Sequence, residues 1–168
     1  NINLAALIAK AKKRVILLDL DLHKPKVHSS LGLANEVGIS TFLIGKSDLD
    51  SSIQKSSVDS LDVITAGPIP PNASELVLSE KVPALIERLK KEYEYVLIDT
   101  PPLLLISDAL VLIKYVDSSI FVLNTMRATK QGLRYLEEVV EANKLRNISL
   151  LLNGIKQKKW KYYYSKYG

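Results

Sequence analysis

Residues 14–25 read RVILLDLDLHKP. The first seven form a nearly unbroken apolar run, too short for a typical helix and bounded by charge. Such a run reads as a strand covered on both faces, the habit of parallel sheets. Similar β-branched-rich runs recur at residues 61–66, 94–99, 118–124 and 148–154. Helical patterns fill the intervals. Residues 2–12 put Leu4, Leu7, Ile8 and Ala11 on one face. Residues 73–91 start behind a cap-like Asn72 with Glu75 three positions on, and restart at Ser79 with Pro83 in the first turns. Residues 103–115 and 130–144 supply two more helices, and 27–56 reads as short helices separated by Gly32, Gly38 and Gly45. Alternation of this kind predicts an α/β fold, a doubly wound, mostly parallel sheet flanked by helices.

The chain has 168 residues and a formal net charge of +5. That charge is local. Residues 156–168 hold five lysines and no acid, so residues 1–155 carry eighteen charges of each sign. Four of the eight tyrosines, Tyr162, Tyr163, Tyr164 and Tyr167, share that segment. The expected organisation is a neutral domain over 1–155 followed by a basic, Tyr-rich tail over 156–168. A nucleic-acid partner is not expected, since it calls for a distributed basic face. No apolar run approaches the ~18 residues of a membrane span. Cysteine is absent, which excludes disulfide and thiol chemistry and, with two histidines, a tetrahedral zinc site. No secretory signal is visible. The first residue is Asn rather than Met, so a fragment or processed form is expected.

In doubly wound sheets ligands bind beyond the carboxyl ends of the strands. Asp19 and Asp21 close the run at 14–20, and Asp99 closes the run at 94–99, followed by Thr100, Pro101 and Pro102. An acid directly after a buried strand can hold Mg²⁺, which prefers oxygen ligands and keeps several waters. His23 and His28 read as polar loop residues rather than ligands, and Arg127 as either a phosphate contact or a solvated side chain.

ILLDLDLHKP (16–25) resembles the variant Walker A′ motif of bacterial tyrosine kinases, a branch of the MinD/ParA-like P-loop ATPases, and VLIDTPP (96–102) resembles their Walker B motif. Between them GPIPPNASEL (67–76) is similar to a Pro-rich segment of that family, and LGLANEVGISTFLIG (31–45) to the stretch before it. ISDAL (106–110) and LLLNGI (150–155) continue the likeness in the family's order, and the Tyr-rich end resembles its autophosphorylation cluster. Two departures stand out. His23 replaces an expected Arg, with Lys24 beside it as a cation lacking the guanidinium fork. The Gly-rich phosphate loop, expected before the helix at residues 2–12, is not in the sequence. Gly45-Lys46-Ser47 is no substitute, because Ser40 occupies the position of the required Gly.

The resemblance implies a P-loop NTPase-like fold, N-terminally truncated, from an ATP- and Mg²⁺-dependent autokinase. Asp19 and Asp21 would serve Mg²⁺ and the incoming tyrosine hydroxyl, Asp99 would hold Mg²⁺ and its waters, Thr100 would belong to a loop sensing phosphate, and Lys24 would add charge. Asn153 would contact adenine, and Tyr162, Tyr163, Tyr164 and Tyr167 would accept phosphate in the same or a neighbouring subunit. The implied partners are ATP, further copies in a homo-oligomer, and a membrane-bound polysaccharide co-polymerase activator, fused or separate. The implied role is control of exopolysaccharide or capsule synthesis at the cytoplasmic face of the bacterial plasma membrane. Without the phosphate loop this stretch alone is expected to bind ATP poorly. A MinD/ParA-type ATPase and a non-catalytic regulatory module of the same fold are the alternatives. A Tyr-rich tail and GPIPPNASEL favour the kinase.

Overall fold

The computed structural model describes residues 1–103 and 108–155, which leaves the acceptor tyrosines 162, 163, 164 and 167 and the first two residues of ISDAL outside the described residues. The chain divides into two compact units, Asn1–Tyr115 and the residues from Val116 onward.

The first unit runs α1 (Ile2–Lys10), β1 (Val15–Asp19), α2 (Val27–Leu31), α3 (Ile39–Leu43), α4 (Leu49–Ser52), β2 (Gln54–Lys55), β3 (Leu61–Ile64), α5 (Ala73–Val77), α6 (Lys81–Glu92), β4 (Tyr95–Asp99) and α7 (Asp108–Leu112), closed by a 3₁₀ turn over Ile113–Tyr115. Its strands lie in the order β2-β3-β1-β4. β1 pairs in parallel with β3 from Val15↔Leu61 and with β4 from Val15↔Tyr95 to Asp19↔Asp99, while the two-residue β2 runs antiparallel to β3.

Every residue of β1 is buried because the strand feeds two cores. Val15 and Leu17 pack with Leu61, Val63, Ala5, Ala9 and Val27 on the face covered by α1 and α2. Ile16 and Leu18 pack with Ile64 and with Val82, Leu85, Ile86 and Leu89 of α6 on the other. Helices on both faces explain why the strand shows no polar alternation. The α6 stripe has the spacing of a helix with one apolar face. Pro83 lies in its first turn, where a missing N–H breaks no helical bond.

The second unit is a parallel βαβ element: β5 (Ser119–Asn124), α8 (Lys130–Ala142) and β6 (Ile148–Asn153), paired from Ser119↔Ile148 to Asn124↔Asn153. Thr129 caps α8 by accepting a hydrogen bond from the Gly132 N–H at 3.0 Å. The five runs read as strands are all strands, but three of them join the short β2 in a four-stranded sheet and the other two pair as a two-stranded one. Among the described residues no helix is long and apolar enough to cross a membrane.

Candidate active site

The register of β1 against β4 makes Asp19 and Asp99 direct neighbours on adjacent parallel strands, and the Leu20 N–H donates to the Asp99 carbonyl at 2.9 Å beyond the pair. Both acids have the strand parity of Leu17 and Leu97, which line the α1 face, so their side chains leave the same side of the sheet. Asp19 is fully buried. Its Oδ2 accepts from the Val27 N–H at the start of α2, and its Oδ1 from the Asp21 N–H, both at 3.2 Å. Burial nevertheless pushes its pKa up to about 6, the nearby Asp99 and Asp21 charges adding to the rise and the two backbone donors opposing it. Burial also raises Asp99, against the Asn1 side-chain amide, which donates to its carboxylate.

Asp21 differs from Asp19. It is half-buried, and its Oδ1 accepts from the N–H groups of His23 and Lys24 at 3.2 and 3.0 Å, a turn that bends the chain away from the strand end. Lys24 is exposed on that turn. Thr100, half-buried, continues directly from Asp99. Asp19, Asp21, Lys24, Asp99 and Thr100 are thus gathered at one end of the first unit. Asn153 ends β6 of the second unit, opposite Asn124, and its carbonyl accepts from the N–H and hydroxyl of Thr125. Arg127 is exposed in the turn after β5. His23 places Nε2 3.4 Å from the Ser74 hydroxyl, tying the Asp21 turn to α5. His28 belongs to α2, not to a loop, and its Nδ1 is buried without a hydrogen-bond partner among the described residues.

The donor set suits Mg²⁺. A fully buried carboxylate beside a half-buried one at the same strand end is costly to ionise without a cation. Among the described residues no group of three His, Cys, Asp or Glu side chains could hold a metal, and Asp19 and Asp99 form a pair of carboxylates. Mg²⁺ bound by one or two carboxylates, with phosphates and waters completing the octahedron, has that stoichiometry. Gly45-Lys46-Ser47 is confirmed as a structural turn: it follows α3 rather than a strand, and the Ser47 hydroxyl is engaged with Thr41 at 2.9 Å and Ser52 at 3.3 Å.

Two features escaped the sequence reading. The loop after β3 is clamped by Asn35, whose side-chain amide donates to the Gly67 carbonyl at 2.9 Å and accepts from the Gly67 N–H at 3.0 Å. The buried Ser40 hydroxyl donates to the Pro68 carbonyl at 2.7 Å. Gly38 and Gly67 permit this approach. A Cβ on Gly38 would lie 2.3 Å from the Thr65 carbonyl oxygen, and Gly67 takes a φ of +78°. Asn35 precedes Gly67 by 32 positions, so no local signal exposes the clamp. At the amino ends of the strands, remote from Asp19 and Asp99, a cleft of about 740 Å³ is lined by Arg14, Lys55, Asp62, Lys91 and Tyr93 among others. There the Tyr93 hydroxyl donates to Asp62 at 2.7 Å and Lys55 pairs with it at 2.8 Å. Burial, then that bond, raises the Tyr93 phenol.

An AAA domain family model matches residues 1–152. The tyrosine-protein kinase YwqD of Bacillus subtilis is 36% identical over 166 residues, 99% of this chain and 68% of the relative. The tyrosine-protein kinases wzc of Salmonella typhi and etk of Escherichia coli, 35% and 37% identical, match over 21% and 19% of their own length. The kinase domain of the Escherichia coli tyrosine kinase ETK superposes with a TM-score of 0.87 at 33% identity, covering 98% of this chain and 65% of that one. MinD of Pyrococcus horikoshii, solved with Mg-ADP, shares the fold at a TM-score of 0.69 and 20% identity, over 88% of this chain and 59% of that one. A family model over residues 1–152, a matching architecture and identity above 30% across most of the chain together place it: this chain belongs to the AAA-domain family of P-loop ATPases, in its bacterial tyrosine-protein kinase branch.

Proposed function

We propose that the intact protein is an ATP- and Mg²⁺-dependent tyrosine autokinase, acting on the cluster Tyr162, Tyr163, Tyr164 and Tyr167 in a neighbouring copy. The observation that carries this reading is the pairing of Asp19 with Asp99 at the carboxyl end of adjacent parallel strands, supported by the kinase relatives.

The chemistry is a transfer of the γ-phosphoryl group: a bond forms between the tyrosine oxygen and phosphorus as the bond to the ADP oxygen breaks, and the phenol proton leaves. Mg²⁺, when bound, neutralises phosphate charge. Asp19 and Asp99 would hold the ion and its waters. Burial separates the roles of the two acids after β1. Asp19, enclosed and held by two backbone donors, suits a fixed ligand, whereas Asp21, closer to solvent, suits acceptance of the phenol proton. A phenol with its usual pKa near ~10 stays protonated at neutral pH, so such an acceptor is useful. Lys24 and Thr100 would meet the phosphates, and Asn153 the base.

The tail over 156–168 forms a separate functional segment of this scheme. By likeness to its relatives the protein would regulate exopolysaccharide or capsule synthesis with a membrane activator, fused or separate, at the cytoplasmic face of the membrane. The test is incubation of the full-length protein with ATP and Mg²⁺, followed by mass spectrometry. Phosphate confined to residues 156–168, and lost in Asp99→Asn, is the expected result. Phosphate elsewhere only, or none, overturns the assignment.

A further inference from the structure

The loop over residues 67–72 combines three properties. It is braced within the chain, through the Asn35 and Ser40 clamps, the Gly38–Gly67 approach and three prolines. It presents apolar surface: Ile69 is 65% exposed between exposed Pro68 and half-buried Pro70, and Val37, next to Gly38, is 37% exposed. It also adjoins the site, because it leaves the carboxyl end of β3, the neighbour of β1, and reaches α5, where Ser74 meets His23.

One exposed Ile alone means nothing. An apolar Pro-rich segment held in one shape is different. Proline-rich segments are recognised by aromatic side chains, and a pre-shaped surface binds with little ordering cost. Acids flank this one. Glu36 follows the clamping Asn35, Glu75 accepts from the Asn72 side chain at 3.0 Å, and Asp21 lies on the turn joined to α5 through His23. Lys24 lies on the same turn, its backbone N–H donating to Asp21. The surface is therefore apolar at its centre and acidic at its rim. The segment over 156–168 has the complementary make-up, with Trp160, four tyrosines, five lysines and no acid.

We propose that the loop over residues 67–72, with Ile69 at its apex, is the docking platform for residues 156–168 of a second copy of this chain. Aromatic rings of the incoming segment lie on Ile69 and its flanking prolines, its lysines face Glu36 and Glu75, and one tyrosine is left at Asp21. The inference rests on the autokinase reading for its purpose, but its binding step can be measured apart from it.

The experiment uses full-length protein and a synthetic peptide of residues 156–168. Fluorescence anisotropy is expected to show binding to the wild type and about tenfold weaker binding to Ile69→Ser, the loss of one apolar contact. A peptide with its lysines changed to glutamine is expected to bind more weakly too. In the phosphorylation assay Ile69→Ser is expected to raise the KM for the peptide about tenfold while nucleotide affinity is unchanged. Autophosphorylation of the whole protein is expected to rise with its concentration. Equal peptide affinity and KM in Ile69→Ser overturn the platform while leaving the kinase intact. Concentration-independent phosphorylation overturns the second copy as occupant. Ile69-dependent peptide binding without phosphorylation supports the platform and removes the kinase reading.

Discussion

Ionising Asp19 places a carboxylate in a fully buried position beside Asp99. Its folded pKa is raised to about 6 from 3.8, so between those values the folded chain holds a proton that the unfolded chain has released. Stability must therefore fall as pH rises from about 4 to 6 and stay reduced above. In metal-free protein, Asp19→Asn removes this dependence. The stability gap between variant and wild type is expected to move in the variant's favour by about 2–3 kcal/mol across that window. Urea titrations at pH 4 and 7 measure it, and a constant gap contradicts it. Gly38 is a second such residue. The Cβ of Gly38→Ala would meet the Thr65 carbonyl oxygen at 2.3 Å and the Gly67 N at 2.5 Å, both backbone atoms that cannot swing aside. A loss of about 1–3 kcal/mol is expected, read as a lower Tm. Asp19, Asp21 and Asp99 were legible because each follows an apolar run. Asn35 and Ser40 were not, because their partners, Gly67 and Pro68, lie 32 and 28 positions away.

At the scale of elements, legibility follows length and pattern. β1, β3 and β4 are apolar runs that only a two-faced strand explains, and α6 repeats Val82, Leu85, Ile86 and Leu89 at helical spacing. β2 has two residues, Gln54 and Lys55, with no apolar alternation, and is a strand only because β3 offers it an edge. The start of α5 was recognised for a reason the structure revises. Asn72 makes no cap bond and its amide donates to Glu75 instead, so its φ of −120° marks the boundary without satisfying a helix N–H. The pairing of β5 and β6 as their own sheet was equally out of reach, since periodicity reports burial rather than partners. α6 carries a direct test. Leu89 is fully buried against the sheet, and Leu89→Ala is expected to destabilise the chain by about 2–5 kcal/mol. A change below about 1 kcal/mol in thermal or urea unfolding would contradict the packing.

At the scale of the molecule, the two ends of the β1–β4 ladder have separate duties. The carboxyl end gathers the carboxylates of Asp19, Asp21 and Asp99. The amino end closes on itself, with Glu94 accepting from the Arg14 N–H and from Lys13, both at 3.0 Å, and Asp62 held by Tyr93 and Lys55. Ladder order has a further consequence during synthesis. Val15 pairs with Leu61 and with Tyr95, eighty positions further on. At roughly 5–20 residues per second the ribosome delivers β4 about 4–16 s after β1. For that interval VILLD, apolar on both faces, waits with one edge unmatched, which makes it a strand that a chaperone or a neighbouring nascent chain can find first.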